Sequence, residues 1–118
     1  MERQLERCGG LDVHKETIAA CVRVGGRTGR AEQHVQTFGT TVGDLLVLRD
    51  WLAAHGVTHV AMESTGVYWK PVFYALESDF TCLLVNALHI KRVPGRKTDV
   101  QDCVWIAQLL EPGLLRGS

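Results

Sequence analysis

No uninterrupted apolar run in this 118-residue sequence approaches the ~18 residues of a membrane span. The opening Met1-Glu2-Arg3-Gln4-Leu5-Glu6-Arg7 has mixed charge and lacks the apolar core of a secretory signal, so a cytoplasmic protein is expected. There is no C-x-x-C pair: Cys8, Cys21, Cys82 and Cys103 stand singly in or beside apolar segments, which points to buried free thiols rather than zinc ligands or disulfides. Net charge is also missing, with 13 basic and 13 acidic residues, so charge alone does not announce nucleic-acid binding. Internal repeats and low-complexity segments are absent. What remains is a chain of 46% hydrophobic and 22% charged residues, ordinary for one globular domain with a single core.

The distribution of charge says more than its sum. From Asn86 to Thr98 the chain carries Lys91, Arg92, Arg96 and Lys97 and no acid. Thr98 is a good N-cap for a helix running through apolar residues to Leu110, which puts Asp99 and Asp102 in its first turn. Residues three apart share a face, and this one continues through Ile106, Leu109 and Leu110, opposite Gln101 and Gln108. Two carboxylates on a packing face need a cation, either from the basic stretch or from a metal.

The rest reads as alternating strands and helices. Leu11 to Val24 forms a hairpin turning at His14-Lys15-Glu16, and His34 to Phe38 is a third strand. Thr41 and Asp44 resemble a capping box for a helix to about His55, stopped by Gly56. A strand over Val57–Glu63, a helix over Val67–Glu77, a buried parallel strand at Thr81–Val85 and a loop through Pro94-Gly95 lead to the last helix. The expected class is α/β with a mixed sheet, in the order β-β-β-α-β-α-β-α. Residues 112–118 stop without a clear domain end, from which a longer native chain is expected.

Four acids fall outside ordinary solvent positions. Asp12 lies within the first strand, where Asp is depleted, and Glu63 ends an apolar strand before a Ser-Thr-Gly turn. After an antiparallel meander the fourth strand commonly lies beside the first, which brings Asp12 and Glu63 to roughly 5 Å. The last helix could then carry Asp99 and Asp102 over both. Such an all-oxygen cluster suits Mg²⁺ or Mn²⁺ better than zinc. Paired ions of this kind are a common device for cutting phosphodiesters.

Three motifs, GLDVHK at 10–15, MESTGVYW at 62–69 and RKTDVQD at 96–102, together resemble the N-terminal domain of the DEDD-type insertion-sequence transposases, a family that includes pilin-gene-inverting recombinases. The resemblance covers nearly all of residues 8–118 and implies an RNase H-like fold similar to the Holliday-junction resolvase RuvC, with residues 1–118 as that domain. It implies a Mg²⁺- or Mn²⁺-dependent transposase or recombinase acting on DNA, with Asp12, Glu63, Asp99 and Asp102 as catalytic and metal-binding acids. It further implies a homo-oligomer, dimer or tetramer, a structured bridge RNA in some members, and a separate C-terminal domain with a catalytic serine, expected beyond this sequence; Ser64 is not that serine. Beside a metal site, Lys15, Lys91, Arg92, Arg96 and Lys97 become phosphate contacts. Tyr68 and Trp69 read as core or rim aromatics able to stack on a base. Two other readings compete. One is a binding module for guide RNA or DNA that dimerises. The other is an actin- or sugar-kinase-like ATPase, for which His14-Lys15-Glu16 makes a poor phosphate turn.

Overall fold

The structure, a computed structural model, describes residues 5–25, 32–96 and 100–115, without the side chains of His89 and Arg92. Among the described residues nine elements follow in order: β1 Arg7–Val13, β2 Ile18–Val24, β3 Glu32–Phe38, α1 Val42–Ala54, β4 His59–Ser64, α2 Trp69–Leu76, β5 Thr81–Leu84, α3 Ala87–Arg92 and α4 Asp102–Leu110. The strands form one sheet in the order β3-β2-β1-β4-β5, antiparallel from β3 to β1 and parallel from β1 to β5. Among the described residues no helix is long and apolar enough to cross a membrane.

Strand alternation sorts the side chains into two layers. Leu11 and Val13 of β1, Ile18, Ala20 and Val22 of β2, and Val60 and Met62 of β4 point to one face. There they meet Leu45, Leu48 and Leu52 of α1 and Val72 and Leu76 of α2. The opposite face is built from small residues, Cys8, Gly10, Ala19, Cys21 and Ala61, and α4 lies across it. Gly10 makes this approach possible, because a Cβ there would overlap the Cys103 carbonyl and stand 2.6 Å from Ala107 N. Seven of the nine α4 residues are buried. Its outer side is covered in part by α3, where Trp105 Nε1 donates to the Ile90 carbonyl at 2.9 Å.

Several local expectations hold. Thr41 and Asp44 form the capping box, with Asp44 N donating to Thr41 Oγ1 at 3.1 Å and Thr41 N to Asp44 Oδ2 at 3.2 Å. Gly56, at φ +69°, ends α1. Pro71 sits in the first turn of α2, where its missing N–H costs nothing. Cys8, Cys21 and Cys103 are buried free thiols, and Cys82 is half-buried.

Three expectations are corrected. The stretch read as a loop after β5 contains α3, opened by Asn86, whose side chain accepts from Leu88 N at 2.8 Å. That adds a helix to the order, which becomes β-β-β-α-β-α-β-α-α. β5 is parallel, as expected, but occupies the sheet edge, and none of its residues is fully buried. The last helix begins at Asp102 rather than after Thr98. Gln101 is its N-cap, extended at φ −62° and ψ 150°, and Val100 before it packs against the core. Asp102 is therefore the first helical residue. Thr98, Asp99 and Lys97 lie outside the described residues.

Candidate metal and phosphodiester site

Asp12 and Glu63 are direct register partners on the parallel strands β1 and β4. Both sit near the carboxyl ends of their strands, where open α/β sheets keep their binding crevices. Alternation turns both toward the α4 layer. α4 docks over Gly10 and brings its first residue, Asp102, onto the same point. One carboxylate oxygen from each of Asp12, Glu63 and Asp102 lies within 4.8 Å of the others, and all three residues are half-buried.

The cluster is electrostatically loaded. Burial, first, and then the neighbouring Asp12 charge push the Glu63 carboxyl above the usual carboxylate range. A hydrogen bond with Asp12 and the charge of Asp102 act in the same direction, and His14 opposes them. The two aspartates each have a nitrogen-bearing neighbour. His14 Nε2 lies 3.1 Å from Asp12 Oδ2, and Arg96 Nη2 donates to Asp102 Oδ1 at 2.5 Å. The His14 neighbour was not foreseen from sequence. Its signal was there to read, since residues i and i+2 at a strand end leave the sheet on the same side.

The donor set fits a hard divalent cation. All ligands are carboxylate oxygens, and Mg²⁺ holds oxygens at about 2.0–2.1 Å, so that opposite ligands stand about 4.2 Å apart. The three oxygens lie within 4.8 Å of one another, on the scale of that span. Zinc would favour nitrogen or sulfur, and the nearest thiol, Cys103, is held protonated at a pKa of about 11, chiefly by burial.

The basic residues divide. Lys15 is exposed in the β1–β2 turn, where its carbonyl accepts from Thr40 Oγ1 at 3.0 Å. It lines a cleft of about 290 Å³ with Thr40, Val67, Tyr68, Pro71 and Val72. Lys91 is exposed on α3, while the Arg92 side chain and Lys97 lie outside the described residues. Arg96 is engaged with Asp102. Tyr68 is a rim residue, 40% exposed, whereas Trp69 packs onto the core edge-on to Phe73, with ring centroids 5.8 Å apart. Ser64 is half-buried, and its Oγ donates to the Thr65 carbonyl at 3.1 Å.

The fold is that of RuvC. The structure is similar to Thermus thermophilus RuvC in complex with a Holliday junction substrate, at a TM-score of 0.63 and 11% identity, over 95% of this chain and 99% of that one. A second Thermus thermophilus RuvC structure matches at a TM-score of 0.64 and 12% identity, over 93% and 98% of the two chains. No curated protein matches the chain significantly. A family model described as a transposase, that of the IS110 DEDD transposases, matches residues 9–118. Nearly the whole sequence is thus covered, and the chain belongs to the IS110 DEDD transposase family.

Proposed function

We propose that residues 1–118 form the metal-dependent DEDD domain of a DNA recombinase, acting on phosphodiesters in mobile-element transposition or site-specific inversion. One observation carries this reading: three carboxylates from β1, β4 and α4 converge within 4.8 Å in a chain of a transposase family. Asp12, Glu63 and Asp102 would hold a divalent cation, Mg²⁺ or Mn²⁺, with Asp99 as the fourth acid. Bound there, the metal supplies Lewis-acid stabilisation of the phosphodiester oxygens.

The chain's own residues do the rest. His14 steadies Asp12, and Arg96 steadies Asp102. Lys15, Lys91, Arg92, Arg96 and Lys97 hold the nucleic-acid backbone, a role in keeping with the likeness to a RuvC that is in complex with a Holliday junction substrate. The substrate is DNA, with a structured guide RNA as a further partner. The working form is a cytoplasmic homo-oligomer completed by the family's serine-bearing domain.

The experiment is a pair of measurements on wild type and Asp12→Asn. Calorimetry with Mn²⁺ is expected to show binding that the variant loses. Incubation with supercoiled and branched DNA is expected to show a metal-dependent change in the DNA that the variant also loses. Metal binding without any effect on DNA favours the second reading, a nucleic-acid-binding and dimerisation module whose acids organise the site. No Mn²⁺ binding at millimolar concentration overturns the metal reading.

A further inference from the structure

Arg96 stands between two obligations. Arg96 follows the Pro94-Gly95 turn, in which Gly95 has φ +100°. Arg96 Nη2 then donates to the Val100 carbonyl at 2.6 Å and to Asp102 Oδ1 at 2.5 Å. The first bond ties the guanidinium to backbone packed against the core, so Arg96 is no free surface side chain. The second makes it the counter-ion of one member of the acid cluster. Guanidinium has five N–H donors, and among the described residues those not on Nη2 have no acceptor. The side chain is 28% exposed, so part of it faces outward.

Asp102 thus faces two claims on its charge. A divalent cation in the cluster would stand within a few ångströms of the guanidinium and be repelled by it, and each would weaken the other's hold on the carboxylate. A nucleic-acid phosphate has the geometry to receive a displaced guanidinium through two parallel N–H bonds. The Val100 bond keeps that guanidinium within reach of the cluster.

We propose that Arg96 and a divalent cation compete for Asp102, and that the displaced guanidinium, still tethered at Val100, binds a phosphate oxygen of the nucleic acid. Metal and nucleic acid then assist one another, because each removes an obstacle to the other's binding, and the assistance is reciprocal. The inference rests on the metal reading of the cluster and assigns Arg96 the task of linking the two ligands. A residue that only locked the loop would produce no such linkage.

The test is Mn²⁺ titration of wild type, Arg96→Gln and Arg96→Lys, with and without a short DNA duplex. Gln removes the charge, so R96Q is expected to bind Mn²⁺ about tenfold more tightly than wild type in the absence of DNA. R96K keeps the charge and is expected to bind like wild type. The duplex is expected to tighten Mn²⁺ binding to wild type but not to R96Q. Equal or weaker Mn²⁺ binding by folded R96Q overturns the proposal while leaving the metal site standing; no binding by wild type overturns both. NMR of the Arg96 side-chain N–H in the unsubstituted protein gives a second readout that needs no variant to fold. Its signal is expected to move on addition of Mg²⁺, and an unmoved signal at saturating metal overturns the exchange.

Discussion

Gly10 of β1 lies directly beneath the Cys103 carbonyl of α4, so close that a Cβ would overlap the oxygen. This contact sets how near α4 comes to the sheet. It thereby sets how near Asp102 comes to Asp12, two positions further along the same strand face. The obstructing atoms are backbone, which a rotamer change cannot move aside. Gly10→Ala is expected to destabilise the protein by about 1–3 kcal/mol, as overpacking does, and to weaken Mn²⁺ binding by lifting Asp102 off the cluster. Urea denaturation and metal titration of the same variant check both parts. Unchanged metal affinity would show that α4 reaches the acids by another route.

Glu63 makes stability depend on pH in a defined direction. Its carboxyl is raised in the folded chain by burial and by the Asp12 and Asp102 charges, so the folded state holds its proton more tightly than the unfolded state does. Stability without metal should therefore fall as pH rises from the ordinary glutamate value through the raised one. Metal affinity should rise over the same window, because the proton competes with the cation. Thermal melts in EDTA across that range are expected to show the slope in wild type and a flatter profile in Glu63→Gln.

The capping box separates stability from function. Thr41→Ala removes the oxygen that accepts from Asp44 N and is expected to cost about 1 kcal/mol. α1 lies on the face of the sheet away from the acids, so Mn²⁺ affinity is expected to remain that of wild type. A matched denaturation and metal titration will show whether the two properties part company.

The thiols should be inert in the native protein. Burial is the largest cause holding Cys8 and Cys21 at a pKa of about 12 and Cys82 and Cys103 at about 11, so little thiolate exists near neutrality. A chromogenic disulfide reagent is expected to react slowly with the folded chain, first at half-buried Cys82, and rapidly with all four thiols in denaturant. A fast native reaction at Cys103 would mean that α4 opens readily from the sheet.

Much of this could be read from the chain before any fold was known. Asp12 stood out because strands disfavour Asp, and Glu63 because it ends an apolar run. Their pairing followed from a common sheet order and appears as direct register. Thr41, Asp44 and Gly56 declared α1 through local hydrogen bonds that need no distant partner. Other features were poorly legible. α3 is six residues long, too short for a periodic signal, although Asn86 marked its start. The start of α4 was misjudged because Thr98 is a good cap by local chemistry, whereas Gln101 is extended and Val100 before it packs against the core. His14 does sit in the turn, but its contact with Asp12, two residues before it, went unread although the spacing puts both on one side.

The sequence by itself determined which side chains share a face, because backbone alternation in strands depends only on adjacent residues. It likewise determined the α1 capping box, the hairpin turn and the family motifs. Only the tertiary structure decided that Asp102 meets Asp12 across ninety residues of chain, and that Arg96 arrives with it. Those contacts depend on how closely one helix docks on a face of Cys8, Gly10, Ala19, Cys21 and Ala61. That closeness is a property of volumes summed over the whole core, which no local pattern records.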